Sequence, residues 1–196
     1  HARGRSARNT NGSVSGMPIL ATLSEKYGIR TIPQTLQEQA AGAAAKTALV
    51  QYPGRLVTSG MLAGANIGVG VILMGSAAGP LIAAGDGFAK LVAGIAFGVA
   101  LTIVGFARAE LATSAMMILP QGIAMQSVGT PKAVLTLLLI FAANLLGSLL
   151  FGGLVVVPGV LHVNLAAREM LASLLEGKEL ETPVELFARG ILCNTL

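Results

Sequence analysis

A chain of 196 residues that is 54% hydrophobic, 11% charged and 4% aromatic, with a mean hydropathy of +0.75, lies far from the roughly 25% charged composition of soluble domains. Its net charge of +4 comes without the aromatic-studded basic surface of a nucleic-acid binder, so no nucleic acid is implied. The single cysteine, Cys193, excludes an internal disulfide and any multi-cysteine metal site.

The basic residues are unevenly placed: residues 1–55 hold seven of them against two acids, and the remainder holds six against seven. The excess precedes the first long apolar stretch, which by the positive-inside rule puts the N-terminus in the cytoplasm. Residues 1–30 are polar and aperiodic and read as a disordered tail without the apolar core of a signal peptide. Residues 31–54 read as a cytoplasmic helix at the membrane surface, opening near Pro33 and closing at the Tyr52-Pro53-Gly54 turn. Its amphipathicity is modest, which favours packing on a neighbouring subunit over lying on lipid.

Residues 55–196 read as part of a transmembrane domain. Stretches without charge cover 56–85, 91–107, 111–131 and 133–167, each near or above the roughly 20 residues that a spanning helix needs. The first span is placed at about 55–74, with Gly60, Gly64 and Gly68 on one face for close helix approach, and a turn follows at 75–87. The second is placed at 88–106, is interrupted by a polar segment holding Arg108, Glu110, Thr113 and Ser114, and resumes at 115–124. Either an ordinary loop joins two short spans or one span is broken midway, and only the second places ionisable groups inside the bilayer, where they are candidates for function. The third span is placed at 133–157, with Asn144 as glue between helices. A loop follows at 158–182, and Pro183 opens a further helix over 184–196.

Signatures of enzymes are absent. There is no phosphate loop, no zinc spacing, no nucleophile elbow and only two histidines, so no catalytic residue, metal or cofactor is implied. Four segments, however, fall in a familiar order: Gly87-Phe88-Ala89-Lys90-Leu91-Val92-Ala93-Gly94, Ala109-Glu110-Leu111-Ala112-Thr113-Ser114, Ala143-Asn144-Leu145-Leu146-Gly147-Ser148-Leu149-Leu150-Phe151, and Arg189-Gly190-Ile191-Leu192-Cys193-Asn194. Together they resemble the formate/nitrite transporter family over about residues 38–196.

The resemblance implies an all-α multi-pass membrane protein with an aquaporin-like fold. Its second transmembrane helix would be broken, six helices would make up the full-length chain, and the subunits would form a homopentamer in a bacterial-type plasma membrane. It implies passage of a small monovalent anion (formate, nitrite, hydrosulfide or lactate) through a pore in each subunit; because an apolar constriction opposes a bare charge, the anion is expected to take up a proton in transit. Carried over by position, Thr113 matches the pore-loop threonine, and Leu111, Ala112, Phe97 and Leu101 match apolar constriction positions. Lys178 matches a vestibule lysine and Asn194 an asparagine further along the pathway. Ala112 stands where the family usually has a bulky aromatic. Arg108 stands where it has a small residue, either pairing with Glu110, the preferred reading, or placing a positive charge by the pore. No residue up to Leu196 matches the family's central pore histidine, and His162 lies in a loop. The chain reads as a fragment. Two rivals remain: a pore for a neutral solute, and a non-transporting membrane protein should the chain end here naturally.

Overall fold

The computed structural model describes residues 32–195, with the backbone alone at 191 and 193–195. The tail expected at 1–30 lies outside the described residues. In order come α1 (Ile32–Ala48), a short 3-10 turn (Leu49–Gln51), α2 (Pro53–Ala83), α3 (Ala89–Phe106), α4 (Ala112–Ala124), α5 (Thr130–Val156), α6 (Val160–Val163), α7 (Leu165–Glu179) and α8 (Pro183–Thr195). The fold is all-α, and α2, α3 and α5 are long and apolar enough to cross a membrane. The chain divides after Glu38 into two units, and the packing that follows is that of residues 39–196.

Three helix ends share one device. At the end of α2, Gly85 adopts a left-handed backbone with φ 71°, its N–H bonds Ile82 O, and the Asp86 N–H reaches back to Leu81 O. This pair of bonds is the Schellman closure, in which a residue past the helix satisfies carbonyls that would otherwise be orphaned. Arg108 closes α3 and Gln126 closes α4 through the same two bonds, at φ 48° and 57°, although a side chain at such angles costs about 1–2 kcal/mol that glycine avoids.

The first span is longer than its sequence indicates. Gly75 and Gly79 do not open a turn; they lie inside α2, and a Cβ on either would meet Ala167 or the Ala166 backbone of α7. Glycine here serves close approach between helices, which is why reading it as punctuation ends the helix too early. The α7 helix itself occupies the region expected to be a loop. Asn164 caps it, its side-chain oxygen accepting from the Ala167 N–H at 3.2 Å while its amide donates to Ser76 Oγ at 2.8 Å. An acidic, weakly apolar stretch carries no membrane signal, and so its helicity is hidden from a hydropathy reading.

The α2 helix, about 46 Å long at 1.5 Å per residue, is the axis on which α3, α5 and α7 pack. One glycine stripe faces α5: Gly60 lies against Ala143, Gly64 against the Asn144 backbone, and Gly68 against the Phe151 ring, while Gly147 of α5 lies against the Met61 backbone. Ser148 Oγ donates to Gly64 O at 3.1 Å across the same seam. Gly70, on another face, receives Ala100 and Phe97 of α3. At the N-terminal end of α2 a core of Ala43, Leu56, Ala112, Ala115, Leu119, Ala133 and Ile140 joins α1, α2, α4 and α5.

That core seats one face of the first helix on this chain's own helices. Ala43 and Thr47 are buried by this chain's own helices. Gly122 of α4 lies against Ala43, and Ser127 Oγ donates to Ala40 O at 3.2 Å.

Two substitutions test this packing. Gly147→Val forces the Met61 backbone away and should destabilise by about 3 kcal/mol, the upper end for overpacking. Gln126→Gly relieves a left-handed side chain and should gain about 0.5–1 kcal/mol. Thermal unfolding in detergent micelles reads both, and an unchanged midpoint for Gly147→Val would refute the close seam.

Candidate functional site

Between α3 and α4 the helix is broken over residues 107–111, and most of the freed N–H groups have named partners. The Ala107, Arg108 and Ala109 N–H groups turn back to Ile103, Gly105 and Val104 carbonyls at 2.9–3.1 Å. The Glu110 N–H donates to Ser59 Oγ of α2 at 3.0 Å. Leu111 is extended, with φ −95° and ψ 135°, and the Ala112 N–H that follows donates to Asn144 Oδ1 of α5 at 2.9 Å. The amide of Asn144 in turn donates to Glu110 O at 2.8 Å and Gly60 O at 3.0 Å. One side chain thus caps a helix, holds the break and joins it to α2. Irregular backbone at membrane depth needs such partners, because no lipid group can replace them.

The carboxylate of Glu110 pairs with Lys46 of α1, not with Arg108. The left-handed backbone at Arg108 and the extended Leu111 carry the chain on to α4, and Glu110 finds its cation on another helix. The two paired side chains are only 13% and 16% exposed. Beside them a cavity of about 390 Å³ is lined by Lys46, Leu101, Val104, Gly105, Arg108, Ala109, Glu110, Leu111 and Ser114. Two cations, one carboxylate and the Ser114 hydroxyl therefore border a space otherwise walled by apolar groups and backbone.

Of the site residues expected from sequence, the structure brings Leu101 and Leu111 together in this lining. Phe97 is one helical turn from Leu101 on α3 and lies against Gly70. Thr113 is exposed on the first turn of α4, which begins at Ala112 and so takes in residues read as loop. Ala112 is buried in the core, and its N–H is held by Asn144. Lys178 is exposed near the end of α7. Asn194 lies outside the residues whose side chains are described.

The model of the formate/nitrite transporter family matches residues 33–196. This chain belongs to that family. A solved structure titled "FNT family ion channel" is similar to it at 31% identity with a TM-score of 0.60, over 65% of this chain and 51% of that one. This formate/nitrite transporter family member thus spans about half the length of that channel chain. No curated protein sequence matches it. The break of the second span, which the family resemblance implied, is present in this family member as residues 107–111 between α3 and α4.

Sequence reasoning missed Lys46 and Ser59 as partners of the break. For Lys46 a signal was available: a carboxylate at Glu110 flanked by apolar spans needs a cation, and Lys46 stands alone in an alanine-rich helix. For Ser59 there was none, since a serine in a glycine-rich span commonly bonds its own helix.

Removing the Asn144 amide should cost about 2–3 kcal/mol, the sum expected for three modest hydrogen bonds. Lys46→Met alone should destabilise by about 2 kcal/mol by stranding Glu110, and adding Glu110→Gln should restore much of the loss. Unfolding midpoints of Asn144→Leu and of the Lys46/Glu110 double-mutant cycle decide both expectations; additive losses in the cycle would contradict the pairing.

Proposed function

We propose that the protein carries a small monovalent anion, formate, nitrite or a similar weak acid such as hydrosulfide or lactate, across a bacterial-type plasma membrane through a pore in each subunit of a homopentamer. The N-terminus, with its seven basic residues in 1–55, would face the cytoplasm. The observation that carries this reading is the cationic cavity at the break of a membrane helix in a member of the formate/nitrite transporter family.

The chemistry needs no covalent step. With Lys46 paired to Glu110, Arg108 leaves the cavity with one positive charge in excess and raises the local concentration of anions there, as a cationic recess in low-dielectric walls does. The α4 helix begins at the break, so the positive end of its dipole adds to the same field. Leu101 and Leu111 of the cavity lining, with Phe97 one turn along α3, form an apolar constriction in which an ionised carboxylate loses its hydration at great cost. A weak acid avoids that cost by taking up a proton and crossing neutral. Thr113 and Asn194 supply hydrogen bonds that replace part of the lost hydration shell, and Lys178 attracts anions at the other vestibule.

Liposomes holding the full-length protein should take up formate and nitrite but not glycerol, faster as the external pH falls. Thr113→Val should reduce the anion rate severalfold. Glycerol flux without anion flux would turn the assignment to a neutral-solute pore, and a rate independent of pH would remove the proton step.

A further inference from the structure

Arg108 is the residue at the break that neither the fold nor the ion pair requires. A Schellman closure needs a left-handed residue, and glycine supplies it without strain, as Gly85 does at the end of α2. Arginine at φ 48° carries a conformational cost, and such costs gather at functional sites. Gln126 bears the same cost on an exposed turn, so strain alone does not assign a role. The cavity supplies the second observation.

Among the described residues, Glu110 is the one carboxylate in the cavity lining, and it is engaged by Lys46. Arg108 forms no ion pair among the described residues. The lining therefore holds one positive charge in excess, and that charge is a guanidinium. A guanidinium differs from an ammonium in offering a planar fork of parallel N–H donors, which matches two oxygens of one anion at once. The geometry points to Arg108 as the residue that gives this cavity a preference for planar anions with two oxygens on one atom, carboxylates and nitrite, over anions with a single acceptor atom such as hydrosulfide.

The inference rests on the anion-passage reading above and deepens it, since that reading needs only positive charge at the cavity. The Lys46–Glu110 pair is close to neutral and fixes the loop, whereas Arg108 selects. An anion with one acceptor atom gains charge attraction from either cation type but nothing from the fork.

The test compares formate, nitrite and hydrosulfide fluxes into liposomes at one pH for the wild-type full-length protein, Arg108→Lys and Arg108→Gly. Arg108→Lys keeps the charge and loses the fork, so formate and nitrite flux at low concentration should fall about tenfold, the loss of one charge-assisted bond, while hydrosulfide flux falls far less. Arg108→Gly removes the charge as well and should lower all three, formate and nitrite most. Glycine is the residue this backbone favours, so Arg108→Gly remains folded and its unfolding midpoint should not drop. An Arg108→Lys protein with the wild-type ratio of formate to hydrosulfide would overturn the selectivity role while leaving anion passage standing. Absence of any anion flux in the wild type would instead sink the underlying reading.

Discussion

A helix interrupted inside a bilayer leaves N–H and C=O groups that lipid cannot satisfy, and the arrangement of this protein follows from how those groups are met. Asn144 meets two of them, Glu110 O and the Ala112 N–H, and reaches Gly60 O of α2 from the same side chain. Its position on α5 sets where the second span breaks relative to the third, and its bond to α2 sets the first span against both. Ser59 adds the Glu110 N–H, and the Schellman closure at Arg108 takes care of the carbonyls at the end of α3.

The polar staple works only because the helices lie close together. With Gly64 against the Asn144 backbone and Gly147 against that of Met61, α2 and α5 approach to a separation that any side chain on those faces would prevent. In lipid there is little hydrophobic drive to bring helices together, so small residues and interhelical hydrogen bonds do that work jointly. The glycines bring Asn144 within reach of Gly60 O, and the hydrogen bonds reward that approach. Neither contribution is large by itself.

Hydropathy made the spans legible, and the charges at Arg108 and Glu110 marked the place where the second is interrupted. The glycine spacing at Gly60, Gly64 and Gly68 pointed to a packing face, which α5 occupies. What hydropathy could not reveal was partnership across the chain. Lys46 is sixty-four residues from Glu110, and nothing local at either position names the other. Gly75 and Gly79 look the same in sequence whether they end a helix or seat one, and the seat depends on α7, whose acidic face hides its helicity. The cavity was legible in part. Leu101 and Leu111 came from the family resemblance, whereas the contributions of Lys46 and Arg108 emerge only once α1 and the break are side by side.

The break also imposes an order on biogenesis. Residues 89–124 leave the ribosome before Asn144 does, and until α5 enters the bilayer the Ala112 N–H and Glu110 O have no such partner. The second span can therefore be threaded early but not finished; its kinked form is sealed by a residue translated some thirty positions later. Completion of this segment therefore waits on α5, and nascent chains halted ahead of it would leave the Ala112 N–H and Glu110 O without the partner that lipid cannot replace.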